Sequence, residues 1–219
     1  MSILTVENFD QWRDAARRLI EQDRKPDSVN FRDRDQQALL FAPPVSDMEA
    51  SRAGRFRVPR AFVELAKKVS CHRDPQRWNR LYQVLWRIVR EESHLLQITT
   101  DDDVFRLRMM EKQVRRDAHK MKAFVRFRRI AGDSPAEEQF VAWHRPDHRV
   151  LRLVAPFFSR RFRGMRWGVF TPDESVVWDL EKLTYGRGAH PGSAPSEDDQ
   201  DDLWRTYYRS IFNPARVKV

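Results

Sequence analysis

Regularly spaced cations are the residues of this sequence best suited to a defined chemistry. Basic side chains recur every three or four positions between residues 104 and 129, at Arg108, Lys112, Arg115, His119, Lys122 and Arg126. This spacing places them along one face of an α-helix. Residues 106–129 hold ten Lys and Arg against two acids, whereas the net charge of the whole chain is +9. Such a face predicts contact with nucleic-acid phosphates; the alternative is a solvated helix face neutralised by acids elsewhere in the chain.

A second basic segment, residues 145–166, has seven Arg and one acid. Within it, arginines flank Phe162, and Trp167 follows, a mixture that suits phosphate contact combined with base stacking. The alternative is that Phe162 and Trp167 belong to the core. The two segments together give the predicted nucleic-acid-binding set: Arg108, Lys112, Arg115, Arg116, Lys120, Lys122, Arg126, Arg160, Arg161 and Arg163.

His119 is the candidate catalytic residue, because it lies within the basic face and a histidine can serve as a general acid or base. The alternative is a surface histidine with no catalytic role. His144 and His148 have the spacing of two metal ligands on a helix, but Pro146 lies between them and disfavours that helix. We therefore predict no metal and no cofactor.

Composition limits the class of protein. The chain has 219 residues, 41% of them hydrophobic and 33% charged, and a sequence pI near 10.1, which favours polyanionic partners. One cysteine excludes an internal disulfide and fits a reducing compartment. Neither a signal peptide nor an apolar run long enough for a bilayer is evident, so we expect a cytoplasmic protein without membrane contact.

Apolar residues at helical spacing, including Leu107, Val114, Met121 and Val125, predict one long helix from Val104 to Arg129 that Gly132 ends. Earlier helices are expected after Asn8 or Asp10, over residues 60–70, and from Asp74 to Arg90, with Asp74 as N-cap and Pro75 at the first helical position. A further helix is expected from Arg149 to Phe162, and a hairpin over residues 165–178. We therefore predict an α+β fold: a helical centre over residues 59–129 with a small antiparallel sheet from the C-terminal third. The prediction is one domain, 1–219, with flexible loops near 43–54 and 186–202.

Several longer runs closely resemble a known family. They are FRVPRAFVELAKKVSCHRDPQRW, VRRDAHKMKAFVRFR, FVAWHRPDH, APFFSRRFRGMRW and LWRTYYRSIFNPAR, in this order. Together they resemble a bacterial domain of unknown function described as a probable DNA-metabolism protein. That domain is fused to, or encoded beside, UdgX-type uracil-DNA glycosylase-like proteins and a radical-SAM protein of DNA repair or modification. The resemblance implies an accessory protein and carries over no catalytic residue. The single cysteine excludes a radical-SAM iron–sulfur cluster within this chain.

The leading prediction is a DNA-binding accessory protein in bacterial DNA repair or modification, which neutralises phosphates and prefers exposed or damaged bases. One alternative is a nucleic-acid-processing enzyme of glycosylase or lyase type that uses His119. Another is a docking module for a radical-SAM or uracil-DNA glycosylase-like partner. A fourth hypothesis is that the acidic segment 197–202 folds over the basic helix and masks it.

Overall fold

The computed structural model describes residues 2–33, 56–130 and 138–189. The chain divides into two compact units, Met1–Arg115 and Arg116–Val219. Below they are called unit 1 and unit 2. The single domain expected over 1–219 stays a prediction. Within the described ranges, no helix combines the length and the apolar character needed to cross a membrane.

Unit 1 opens with a strand–helix–strand element: β1 (Ser2–Val6), α1 (Phe9–Glu21) and β2 (Val29–Asp33). The strands pair in parallel, from Ser2 opposite Val29 to Val6 opposite Asp33. The predicted cap of α1 is confirmed, because the Asn8 side chain accepts the N–H of Gln11 at 3.0 Å.

Three helices complete unit 1: α2 (Arg60–Val69), α3 (Arg77–Arg90) and the first part of α4 (Asp102–Phe124). Their predicted apolar faces are buried, with Trp78, Leu81 and Tyr82 of α3 each 1% exposed or less. The predicted start of α3 is wrong by two residues. Asp74 accepts the N–H of Gln76 at 2.8 Å, and this turn ends before the helix begins at Arg77.

A buried ion pair joins β2 to α3. The Asp33 carboxylate accepts hydrogen bonds from both terminal nitrogens of Arg77, one of them at 2.7 Å, and from Nε1 of Trp78 at 2.8 Å. The side chains of Arg77 and Asp33 are only 1% and 6% exposed. Burial of this kind requires that every charge be paired, so the contact fixes the end of β2 against the start of α3.

Helix α4 begins at Asp102, two residues before the predicted Val104, and ends earlier than predicted. Asp101 accepts the N–H groups of Asp103 and Val104, each at 3.0 Å, which caps the start. The predicted continuation to Arg129 is wrong, since the helix ends at Phe124. A side-chain nitrogen of Arg126 donates to the carbonyl of Ala123 at 2.7 Å, which satisfies a carbonyl of the last turn.

Unit 2 is built on a five-stranded sheet with the order β3-β4-β5-β6-β7. Its strands are β3 (Arg128–Ile130), β4 (Gln139–Trp143), β5 (Arg166–Phe170), β6 (Glu174–Trp178) and β7 (Leu183–Arg187). The predicted α+β class is confirmed. The sheet is mixed, however: β4 and β5 run parallel, and the other three pairings are antiparallel. Parallel neighbours need a crossover, and α5 (Leu151–Arg161) lies in this one.

Helix α5 continues through Pro156 and buries its Leu151, Val154, Ala155 and Phe158 side chains. The predicted loop at 186–202 begins inside β7, because Gly186 pairs with Ser175. The rest of that loop from residue 190, and the predicted loop at 43–54, lie outside the described residues.

Candidate nucleic-acid interface

The ten predicted binding residues divide between the units. Arg108, Lys112 and Arg115 are exposed on α4 in unit 1. Arg108 lies 3.4 Å from the Glu111 carboxylate, which also pairs with Lys68 at 2.7 Å. Its charge is therefore partly neutralised, whereas Lys112 and Arg115 have no acidic partner among the described residues.

In unit 2, five of the predicted residues lie near the C-terminal ends of α4 and α5. We call Lys122, Arg126, Arg160, Arg161 and Arg163 the basic cluster; all five are exposed. Lys122 is in the last turn of α4, and its ammonium nitrogen lies 5.2 Å from the centre of the Phe157 ring on α5. Residues three and four positions after Phe157 share its side of the helix, which puts Arg160 and Arg161 one turn further along.

Phe127 holds the ends of α4 and α5 together. Its ring centre lies 5.3 Å from that of Phe162 and 5.7 Å from that of Phe158. Arg126 precedes Phe127, and Arg161 and Arg163 flank Phe162, so this contact brings the two sequence segments into one cluster. The turn after α5 is fixed as well, because Nε1 of Trp178 donates to the Arg163 carbonyl at 3.3 Å.

The members of the basic cluster share a lack of charge pairing within the described residues. None of the five forms an ion pair with an acid in the described part of the chain. Four other cations of unit 2 do: Lys120 with Asp147, Arg129 with Glu138, Arg149 with Asp173 and Arg152 with Glu174, at 2.6–4.0 Å. The positive charge of the cluster is therefore left without local compensation.

Two predicted residues of unit 2, Arg116 and Lys120, lie outside the basic cluster. Helical spacing puts both on other faces of α4 than Lys122. The Lys120 ammonium also pairs with Asp147 at 3.5 Å. Arg116 and Lys120 were predicted as binding residues together with Lys122, but they lie on other faces of the helix than Lys122 does.

His119, the candidate catalytic residue, is exposed on α4. Within the described residues, its ring has no hydrogen-bond partner that would orient it. A catalytic role for His119 therefore stays a prediction.

Sequence reasoning missed a polar group centred on the buried Asp117. The Asp117 carboxylate accepts the N–H of His148 at 2.7 Å, and the N–H of His144 donates to the Phe170 carbonyl at 3.0 Å. Burial lowers the pKa of the half-buried His144, and the charges of Asp117 and Asp147 partly oppose this shift. The position of Asp117 between Val114 and Met121, on the apolar side of α4, was the available signal. Among the residues that the structure describes, no three His, Cys, Asp or Glu side chains lie close enough together to hold a metal ion.

Unit 1 has an apolar pocket of about 320 Å³ whose lining includes Phe9, Trp12, Phe62 and Leu85. The Arg17 side chain at this pocket pairs with Glu21 at 3.2 Å. With its nearby charges paired, the pocket offers apolar surface and defines no reaction chemistry.

One comparison with known proteins identifies a family. A model of DUF4130, a domain of unknown function, matches residues 75–219. No curated protein and no solved structure matches the chain. The matched region contains α3, α4, α5, the whole five-stranded sheet and therefore all of the basic cluster. Because the match covers more than half of the sequence, the chain belongs to the DUF4130 family.

Proposed function

We propose that this protein binds DNA through the basic cluster, as an accessory protein in DNA repair or modification. The observation that carries the proposal is the concentration of five exposed cations, without acidic partners in the part of the chain that the structure describes, near the C-terminal ends of α4 and α5. Five exposed cations around Phe157 and Phe162 have no acidic partner in the described residues, while four other cations of the unit do. Uncompensated cations at close quarters produce a positive potential that attracts polyanions.

The side chains themselves suit phosphate. Four of the five are arginines, whose planar guanidinium groups donate paired hydrogen bonds to phosphate oxygens. Contacts to phosphates position a protein on nucleic acid without reading its sequence. We therefore expect binding that depends strongly on salt and weakly on base sequence.

The choice of DNA rests on the sequence resemblance. The runs VRRDAHKMKAFVRFR and APFFSRRFRGMRW, which resemble a probable DNA-metabolism domain, contain all five members of the basic cluster. Two of the five runs that carry the resemblance thus form the candidate interface. This coincidence supports a role in DNA metabolism over a general affinity for polyanions.

A salt titration of the full chain tests the proposal. Fluorescence anisotropy would measure the affinity for a labelled DNA duplex between 50 and 200 mM salt. With one phosphate for each of the five cations, the log–log slope reaches about −4.5, which corresponds to a loss of affinity of about 500-fold. The double variant Lys122→Gln/Arg161→Gln should reduce the slope to about −2.7 and the loss to about 40-fold.

Lys120→Gln/Arg129→Gln is the matched control, because it removes the same charge from two cations that already have acidic partners. We expect its slope to stay close to that of the wild type. Equal effects of the two double variants would show that only net charge matters and would refute the assignment to the basic cluster. No binding of the wild type at 50 mM salt would refute DNA binding altogether and would favour an acidic protein partner.

A further inference from the structure

The phosphate contacts of the proposed function leave the aromatic rings of the basic cluster without a role. Phe157 and Phe162 are only half-buried, and a cation lies over each ring. The Lys122 ammonium is 5.2 Å from the centre of the Phe157 ring, and the Arg161 guanidinium is 5.8 Å from the centre of the Phe162 ring. Each ring is therefore partly exposed, and the cation that lies over it can hold a phosphate.

Both rings are held in place from behind. The Phe162 ring packs edge-on against Phe127 at 5.3 Å, and the Phe157 ring packs edge-on against Phe158 at 5.6 Å. Phe158 in turn contacts the fully buried Trp167 at 6.0 Å. Rings that are fixed before binding lose little conformational entropy when a ligand stacks on them.

The exposed parts of the two rings suit unpaired bases. A duplex keeps its base faces stacked inside the helix, whereas a single strand presents them to aromatic side chains.

We propose that the basic cluster binds single-stranded nucleic acid, with two bases stacked on Phe157 and Phe162 while the five cations hold the phosphates. This inference rests on the proposed function, because the same cations supply the phosphate contacts. It adds a ligand class, strands with unpaired bases, and two residues that recognise the bases directly.

The test compares two single strands of equal charge: oligothymidine, and an abasic strand of the same length that has the phosphates but no bases. The wild-type chain should bind oligothymidine more tightly, by about 5- to 150-fold for each stacked base. Phe157→Leu and Phe162→Leu should each reduce this preference and leave the salt slope unchanged, since leucine keeps an apolar side chain behind the cations.

Phe124→Leu is the matched control. Phe124 is 66% exposed in the last turn of α4, and helical spacing puts it on another face than Lys122. Its replacement should leave the preference for oligothymidine unchanged. Equal affinity of the wild type for the two strands would overturn the stacking proposal, even if the leucine variants failed to fold. Salt-dependent binding of both strands would in that case leave the proposed function standing, whereas no binding of any strand or duplex would remove both.

Discussion

Removal of the Asp33 carboxylate should destabilise the protein far more than removal of a surface charge. Asp33→Ala leaves the Arg77 guanidinium buried without an anion, a loss that typically costs about 3–5 kcal/mol. Two remaining contacts, from the guanidinium to the carbonyls of Ser70 at 2.9 Å and Asp74 at 3.2 Å, cannot replace the lost charge. The Trp78 Nε1 donor also loses its bond to Asp33.

Urea unfolding followed by tryptophan fluorescence gives the measurement. With a denaturant dependence of about 2.5 kcal/mol/M, this loss lowers the unfolding midpoint by about 1–2 M. Arg60→Ala is the control, since the Arg60–Glu64 pair lies on the surface, with Arg60 92% exposed. Its cost should stay below about 0.5 kcal/mol.

A double variant separates the lost pairing from other effects of the mutation. Asp33→Leu/Arg77→Met replaces both charges by apolar side chains and should recover part of the lost stability, because no unpaired charge stays buried. An Asp33→Ala midpoint equal to that of Arg60→Ala would refute the reasoning. So would a double variant that is less stable than Asp33→Ala.

Three further predictions concern the close backbone approach at Gly188, the N-terminus of α4 and the titration of His144. Gly188→Ala should cost about 1–3 kcal/mol in a urea titration, because a Cβ there would lie 2.1 Å from the Pro172 carbonyl oxygen, whereas Gly164→Ala meets nothing within 4 Å and should be tolerated. Asp101→Ala should cost about 1–2 kcal/mol or more, because it removes both the cap of α4 and the ion pair with Arg87 at 2.7 Å; an unchanged midpoint would contradict both roles. His144 has a pKa lowered by burial, so just below the ordinary value of about 6.5 the unfolded chain binds more protons. The contribution of His144 to the free energy of unfolding should therefore rise as the pH increases towards 6.5. The His144→Asn variant should not show this rise. A His144 titration midpoint at or above 6.5 by NMR would contradict the prediction.

Local signals in the sequence predicted most of the helices and several strands. The helical spacing of apolar residues located the buried faces of α1, α2 and α3, and Asn8 was recognisable as the cap of α1. The end of α4 was predicted wrongly because residues 125–130 continue the basic, apolar-spaced pattern. What ends the helix is pairing of Arg128–Ile130 with β4, a contact that depends on a strand further along the chain. The parallel pairing of β4 with β5 was missed for the same reason.

Residue types in the sequence predicted the members of the candidate site, whereas tertiary contacts showed which of them lie together. All five members of the basic cluster were in the predicted set. Sequence could not separate them from Lys120, whose acidic partner Asp147 lies 27 positions away. Nor could it identify Phe127, whose contacts with Phe158 and Phe162 join the two basic segments. Periodicity within one helix carries no information about either contact.

The buried pair of Asp33 and Arg77 also bears on where the chain can be cut. The family match begins at Pro75, two residues before Arg77, so a fragment made to that boundary would keep the guanidinium and discard its carboxylate. It would also expose the faces of Trp78 and Tyr82, which pack against Trp12 and Phe31. A fragment that begins at Pro75 should therefore be less stable than one that includes β1, α1 and β2. Fragments for crystallisation or partner screening should retain the residues from β1 onward.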